Sequence, residues 1–328
     1  MSEPLAGDHR PPCLCIHYPR VTERGALAAA RWLGRDDQDG AEEAAATGMR
    51  LGLEAMPISG RVVIAPRDSE QLVVDERLGF GGDDVDLALD PLEGRGVVAR
   101  GGNGAISMLA VGPPGSMLQL PDMYMRRMAV GPRARGRIDL LKPVGENVES
   151  IADAFGRNVN DITTIVLDRS RHHDLIEEIR VSGARIKLIQ DGDVTASISA
   201  AIRGTNDHLA IGIGGTRQAV LTAAALRCLG GDVQAQLWPT TRGEIEEAND
   251  QGIEDVSRVF SADELAQGEV IVAVTGISNG DLLRGVRFLA DSAQTHTLVM
   301  CMRCNWVRFD EAIHFFARDR REEVRLLG

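Results

Sequence analysis

From residue 145 onward, short strand-like runs alternate with helix-like segments, and this alternation constrains the fold more than any other feature of the sequence. Runs rich in apolar and β-branched residues predict strands at 163–167, 185–189, 209–213 and 270–274. Helical spacing of apolar residues predicts helices between them, at 147–155, 173–182, 194–202 and 219–229. Such alternation is typical of α/β proteins with a parallel, doubly wound sheet. We therefore predict an α/β fold of this kind.

The first half of the chain has a different pattern. Helical spacing extends over residues 21–53 with a break at 34–37, and strands are predicted at 61–64, 85–89 and 105–111. A further strand at 297–308 is expected to return to this half. With 328 residues, the chain is long enough for two domains. We predict a loosely structured N-terminal extension and two domains, with the boundaries 1–18, 19–144 (plus about 295–328) and 145–294.

The overall charge and hydropathy exclude two classes of partner. The net charge of −12 makes non-specific nucleic-acid binding unfavourable. No apolar run is long enough to span a bilayer, and the N-terminus lacks the basic start and apolar core of a signal peptide. A cytoplasmic protein that binds neither nucleic acid nor membrane is the expectation.

The segment Asp86–Arg95 carries the most specific chemical signal. An alternating apolar run ends in Asp90 and Glu93, with Pro91 between them and Gly94 after them. This predicts a buried strand that ends in a turn, with two carboxylates at its end and a helix beginning at the glycine. Two hard oxygen ligands suit Mg²⁺ or Mn²⁺, and the free amides of a helix start suit a phosphate.

Four other polar clusters also follow predicted strands, where ligands bind in open α/β sheets. They lie at 168–172, 191–193, 214–218 and 278–281. Each cluster also has an ordinary interpretation as a turn or a helix cap. Arg169 and Arg171 are candidates for a phosphate fork, whereas His172 and His173 are interpreted as capping or surface residues.

The five cysteines are sparse and odd in number, which argues against a disulfide framework. Cys301 and Cys304 have the CxxC spacing of a zinc knuckle or a redox pair, and Cys13 and Cys15 are the only candidate second pair. The interpretation favoured by the sequence is free thiols in the core, because the CxxC follows an apolar run.

Taken together, these motifs resemble those of the class II fructose-1,6-bisphosphatases, from about residue 21 to the C-terminus. Besides Asp90-Pro-Leu-Glu93-Gly94, the matching stretches are 28–35, 121–125, 168–172, 183–185, 191–194, 212–215, 226–231 and 275–283. The resemblance implies a two-domain sugar-phosphatase fold, a layered α/β/α sandwich. The earlier domain would hold the metals and the later one the sugar phosphate. It also implies a hydrolase that uses Mn²⁺ or Mg²⁺ to remove the 1-phosphate of fructose 1,6-bisphosphate in gluconeogenesis.

The resemblance further implies a set of metal ligands, and this chain departs from it. Asp90 and Glu93 match family ligands, and Glu42 replaces a family Asp. Two ligand Glu positions are occupied by Pro66 and Gln218. Arg95 replaces the Thr that helps to position the attacking water. Other changes near these motifs are Gln38 in place of a Lys, new guanidiniums at Arg67 and Arg217, and the nearby acids Asp68 and Glu70, which are candidates to substitute for the lost ligand.

The positions that contact the sugar and its second phosphate in the family are intact, at Tyr124, Arg171, Asp191 and Asp193. With Arg169 and Arg217, they are the predicted substrate-binding residues. Two hypotheses follow. The first is a working phosphatase, active on fructose 1,6-bisphosphate or sedoheptulose 1,7-bisphosphate, with a rearranged metal site. The second is a catalytically impaired paralogue that binds sugar phosphate and regulates, or assembles with, an active subunit. Because the family forms symmetric oligomers, a homo-oligomer is expected.

Overall fold

The computed structural model describes residues 13–316. Its α-helices are α1 (Pro19–Ala30), α2 (Gln38–Glu54), α3 (Arg95–Ala99), α4 (Val144–Phe155), α5 (His173–Ser182), α6 (Asp193–Ala201), α7 (Thr216–Leu229), α8 (Arg242–Asp250) and α9 (Ala262–Leu265). Its strands are β1 (Ile58–Ile64), β2 (Arg77–Leu78), β3 (Asp83–Glu93), β4 (Ile106–Gly112), β5 (Tyr124–Val130), β6 (Thr163–Leu167), β7 (Arg185–Ile189), β8 (Leu209–Gly215), β9 (Asp232–Leu237), β10 (Val259–Ser261), β11 (Ile271–Gly276), β12 (Arg287–Phe288), β13 (Ser292–Cys301) and β14 (Trp306–Phe315). The predicted helical break at 34–37 is confirmed, because Asp37 caps α2 by accepting a hydrogen bond from the Gly40 amide.

The strands form two mixed sheets. In the first sheet the order is β12-β13-β11-β4-β3-β1-β2, with β14 paired to β13, and in the second it is β10-β9-β5-β8-β6-β7. The α/β class is confirmed, but the prediction of a wholly parallel sheet is wrong. In the second sheet β7, β6, β8 and β9 share one direction, and β5 is inserted antiparallel between β8 and β9. The strand–helix alternation could not show this, because β5 comes from the earlier half of the chain.

Sheet membership crosses the predicted boundary at residue 145. Strand β5 precedes that residue and lies in the second sheet, whereas β11 follows it and lies in the first sheet, between β4 and β13. The two sheets therefore exchange strands: the chain leaves the first sheet after β4, forms the second sheet with β5 to β10, and returns to the first sheet at β11. The division into the domains 19–144 and 145–294 remains a prediction that sheet membership does not follow.

Helix α7 packs between the two sheets and defines the layers. It contacts β4, β11 and β13 of the first sheet and β5, β8 and β9 of the second. Its buried face is dominated by small residues, including Ala219, Ala223 and Ala224, which let both sheets approach closely. Helices α1 and α2 cover the outer face of the first sheet, and α4 and α5 that of the second. The result is a layered α/β/α/β/α arrangement.

Two terminal features differ from the sequence-based expectation. The predicted strand at 297–308 is a hairpin of β13 and β14, which turns at residues 302–305 with Asn305 at a φ of 52°. It does return to the first sheet, through β13. Residues 1–12 of the predicted extension lie outside the described residues, but 13–18 are ordered, with a 3₁₀ turn at Leu14–Ile16 and a buried Tyr18. Among the described residues, no helix combines the length and the apolar composition that a bilayer span requires.

Candidate active site

A cavity of about 630 Å³ opens where the end of β3 faces the first turns of α6 and α7. Its lining includes each of the predicted site residues except Pro66, namely Glu42, Asp90, Glu93, Arg95, Tyr124, Arg169, Arg171, Asp191, Asp193, Arg217 and Gln218. Four of the five polar clusters that follow strands therefore meet in one place. The tertiary structure brings them together because the ends of β3, β6, β7 and β8 converge on this cavity.

Asp90 and Glu93 both line the cavity because the strand is irregular between them. In a regular strand, residues three apart point to opposite faces. The pairing of β3 with β4 shifts register between these two residues, and this bulge directs both carboxylates to the same side. Gln218 Nε2 donates a hydrogen bond to Asp90 Oδ2 at 2.8 Å, and the Val194 amide donates to Glu93 Oε1 at 2.9 Å.

Burial disfavours the ionised forms of these carboxylates. Desolvation raises the pKa of Asp90 above its ordinary value, against the opposing effects of Arg217 and Gln218. Desolvation and the nearby Asp193 raise the pKa of Glu93 well above its ordinary value. The anions would therefore be stabilised by a cation, and their hard oxygens suit Mg²⁺ or Mn²⁺ bound through one or two carboxylates and a substrate phosphate.

Arg95 places a positive charge beside the third predicted ligand. Its Nη1 lies 2.6 Å from Glu42 Oε2, and its Nη2 pairs with Asp39. Desolvation raises the pKa of Glu42, and the guanidinium of Arg95 opposes that effect. The negative charge of Glu42 is thus neutralised by the guanidinium of Arg95.

The cavity does not assemble a multi-carboxylate metal site in this conformation. Within residues 13–316, potential ligand atoms of three or more acidic, histidine or cysteine residues converge in one place only, and that group is not in this cavity. Pro66 is buried in the loop after β1, and Asp68 and Glu70 of that loop are exposed and do not line the cavity. Arg67 lines a neighbouring cavity, where it approaches Asp122. The donor set therefore fits one divalent cation at Asp90 and Glu93 rather than a larger cluster.

The cavity lining also includes the predicted sugar-phosphate residues. Arg171 donates to the Ile213 carbonyl at 2.9 Å, and its guanidinium lies 5.1 Å from the centre of the Tyr124 ring. Arg169 is held by the carbonyls of Asp168 and Gln190. Asp191 accepts from the Gly192 amide, and its burial raises its pKa. These residues therefore offer two guanidiniums and a carboxylate in one place, a suitable set for a phosphorylated sugar.

Arg127, a buried residue of β5, was not among the site residues predicted from the sequence. Its guanidinium forms an ion pair with Asp193, and its side chain is only 4% exposed. Gly214 leaves room for this pair, because a Cβ there would lie 2.3 Å from Asp193 Oδ2. The available signal was an arginine within a buried strand, which needs a partner. Arg100 and Gln190 also line the cavity and were missed.

His172 is buried, and its side chain makes no capping hydrogen bond to α5, in contrast to the predicted capping or surface role. Its Nε2 accepts from the Ile213 amide at 2.9 Å, and its Nδ1 therefore donates to the Leu167 carbonyl at 2.8 Å. It links the ends of β6 and β8, and burial lowers its pKa.

The fifth polar cluster, 278–281, serves the local loop. Ser278 Oγ accepts from the Ala105 amide, and Asn279 Oδ1 accepts from the Gly285 amide, each at 3.0 Å. Asp281 forms an ion pair with Lys187 outside this cavity. The plain interpretation as turn chemistry therefore describes this cluster.

Comparison with known proteins agrees with the geometry. The model of the family "Bacterial fructose-1,6-bisphosphatase, glpX-encoded" matches residues 13–314. A protein of Synechococcus sp. (strain JA-3-3Ab) named D-fructose 1,6-bisphosphatase class 2/sedoheptulose 1,7-bisphosphatase is 40% identical over 92% of this chain and 95% of its own length. A protein of Microcystis aeruginosa (strain NIES-843 / IAM M-2473) with the same name is 35% identical over 95% of this chain and 99% of its own length. The chain belongs to the bacterial, glpX-encoded family of class II fructose-1,6-bisphosphatases.

Proposed function

We propose that this protein is a metal-dependent phosphatase that removes the 1-phosphate from fructose 1,6-bisphosphate and also accepts sedoheptulose 1,7-bisphosphate. The observation that carries the proposal is the meeting of Asp90 and Glu93 with Arg169, Arg171 and the other sugar-phosphate residues in one cavity. The names of the relatives support the same substrates. They give no support to the impaired paralogue over the enzyme.

Asp90 and Glu93 are the proposed ligands for one Mn²⁺ or Mg²⁺ ion. Such an ion, when bound, lowers the pKa of a coordinated water and neutralises charge on the phosphoryl group. Both carboxylates are already oriented, Asp90 by Gln218 and Glu93 by the Val194 amide. Gln218 thus acts through Asp90 rather than as a ligand.

Arg95 and Arg217 are proposed to take over part of the electrostatic role of the lost acidic ligands and their metal. Arg95 neutralises Glu42, so this carboxylate does not repel the substrate phosphate. Arg217 stands in the first turn of α7 and lowers the pKa of Asp90 through its charge. An arginine also binds phosphate oxygens in a bidentate manner.

Arg169, Arg171, Tyr124, Asp191 and Asp193 are the proposed contacts to the sugar and its second phosphate. Arg171 and Arg169 are fixed by backbone carbonyls, which lowers the entropic cost of holding a phosphate. The homo-oligomer and the cytoplasmic location remain predictions.

Phosphate release from the purified protein tests this function. The assay compares fructose 1,6-bisphosphate with sedoheptulose 1,7-bisphosphate, each with Mn²⁺, with Mg²⁺ and with chelator. Asp90→Asn should reduce the metal-dependent rate by about 10²–10⁴-fold, because it removes the charge of a proposed ligand.

Asp84→Asn is the matched control, since Asp84 lies at the exposed start of the same strand and pairs with Arg77. This variant should keep the wild-type rate. Release that is equal in wild type and Asp90→Asn, or that persists in chelator, would contradict the proposal.

A further inference from the structure

Four cysteines from the two ends of the described chain meet in one group, which is separate from the candidate active site. The Sγ atoms of Cys13, Cys15, Cys301 and Cys304 all lie within 4.8 Å of one another. Two of the contacts, Cys13 to Cys301 and Cys15 to Cys304, measure 3.7 Å. All four are free thiols, and none lines the cavity of about 630 Å³. The sequence-based interpretation as free thiols in the core is confirmed for the buried Cys15 and Cys301, whereas Cys13 is half-buried and Cys304 is exposed.

The two pairs, Cys13 with Cys15 and Cys301 with Cys304, lie on neighbouring elements. Cys13 directly precedes the 3₁₀ turn Leu14–Ile16, and Cys15 lies within it. This turn packs against β13. Cys301 ends β13, and Cys304 lies in the turn that leads into β14. The Cys304 amide donates to Cys301 Sγ at 3.3 Å. Such a donor stabilises a sulfur that carries negative charge, as a metal-bound thiolate does.

The spacing of the sulfurs fits a single tetrahedral metal ion and fits neither a disulfide nor an iron–sulfur cluster. With a Zn–S bond of about 2.3 Å, the edge of a tetrahedral ZnS₄ site is about 3.8 Å. The two contacts of 3.7 Å match that edge. A disulfide would need a sulfur separation of about 2.0 Å. An iron–sulfur cluster distributes its four thiolates over two or more irons, which sets most of them farther apart than this group allows.

We propose that Cys13, Cys15, Cys301 and Cys304 bind a structural Zn²⁺ ion. Four protein ligands leave no open position, as in zinc sites that stabilise a fold rather than catalyse. Cys13 and Cys301 are 288 residues apart, so the ion would tie the N-terminal segment to the β13–β14 hairpin. Neither of these elements supplies a residue to the candidate active site. The proposed zinc site and the proposed phosphatase function can therefore be tested independently of each other.

The test measures the metal content of the full-length, untagged protein, purified without chelator from zinc-supplemented cells. We expect about one zinc ion per chain in the wild type, as a single tetrathiolate site requires. Cys304→Ser, at the exposed ligand, should reduce the zinc content at least about tenfold, since it removes a ligand. Cys228→Ser is the matched control, because Cys228 lies outside the group and donates to the Val270 carbonyl. It should keep the wild-type zinc content.

Two further readouts apply to the wild type, and they do not depend on whether a variant folds. Cobalt added to chelator-treated protein should produce thiolate charge-transfer bands and the visible bands of a tetrahedral site. Cys304 should resist alkylation in the zinc-loaded protein and react after chelation.

Several results would overturn the zinc assignment. They are a wild-type protein with less than about a tenth of a zinc ion per chain, bound iron instead of zinc, or a mass lower by four hydrogens, which would show two disulfides. Zinc retained in full by a folded Cys304→Ser would also overturn it.

Discussion

Replacing Arg127 by methionine should destabilise the protein far more than the loss of a surface ion pair would. The substitution keeps the unbranched stem of the side chain and removes the guanidinium that pairs with Asp193. Asp193 would then remain beside Glu93 without a counter-charge, in a cavity where burial already disfavours carboxylate anions.

The magnitude follows from the exposure of the two partners. Breaking a fully buried pair by removing one member costs about 3–5 kcal/mol. Arg127 is 4% exposed, but Asp193 is 21% exposed and can recover part of its hydration. We therefore expect a loss of about 3 kcal/mol in the free energy of unfolding, at the lower end of that range. A surface pair offers the comparison. Arg77 and Asp84 are both more than half exposed, and Arg77→Met should cost about 1 kcal/mol or less.

Urea denaturation of the metal-free protein, followed by far-ultraviolet circular dichroism, measures both values. Asp193→Asn and the double variant complete a double-mutant cycle, which isolates the pair from other effects of each change. A loss of stability in Arg127→Met that is no larger than in Arg77→Met would contradict the expected cost of breaking a buried pair. A coupling energy near zero in the double-mutant cycle would contradict it as well.

Three other predictions concern the cavity and its support. The contribution of His172 to stability should decrease as the pH falls through about 6.5. The reason is that burial lowers the pKa of His172, so the unfolded chain binds the proton first. Urea midpoints measured against pH should fall less steeply in His172→Gln. Arg95→Ala should raise the KM for fructose 1,6-bisphosphate about tenfold or more by exposing the charge of Glu42, as steady-state kinetics can show against the highly exposed Arg242→Ala as control. Gly212→Ala should lower the free energy of unfolding by about 1–3 kcal/mol, because the φ of Gly212 is +156° and its Cβ would lie 3.2 Å from the His172 ring. An unchanged urea midpoint would contradict that last expectation.

Local sequence patterns were sufficient to predict those helices and strands whose bounds depend only on their own residues. The bounds of β6, β7 and α5 coincide with those predicted. In each, apolar residues recur at the spacing typical of the element, and a polar residue or a glycine follows its last residue. The carboxylates at the end of β3 were also predictable, as was the glycine that follows them. Gly94 takes a φ of +97°, which allows α3 to begin directly after the strand.

Predictions that required knowledge of neighbouring strands were less successful. The antiparallel insertion of β5 and the hairpin of β13 and β14 depend on pairing between distant segments, which no local period records. The bulge between Asp90 and Glu93 belongs to the same class, because it exists only in the pairing with β4. The sequence placed carboxylates at this strand end but could not show that both point into one cavity.

By itself, the sequence determined the α/β class, the family and the candidate residues of the site, because these depend on residue types in a fixed order. Tertiary structure alone decided which distant side chains meet. It pairs Arg127 with Asp193 and Arg95 with Glu42, and it brings together four thiols from the two ends of the described chain. The physical reason is that ion pairs and metal sites require contact at a few ångströms. Contact between residues far apart in the chain is set by the packing of whole elements.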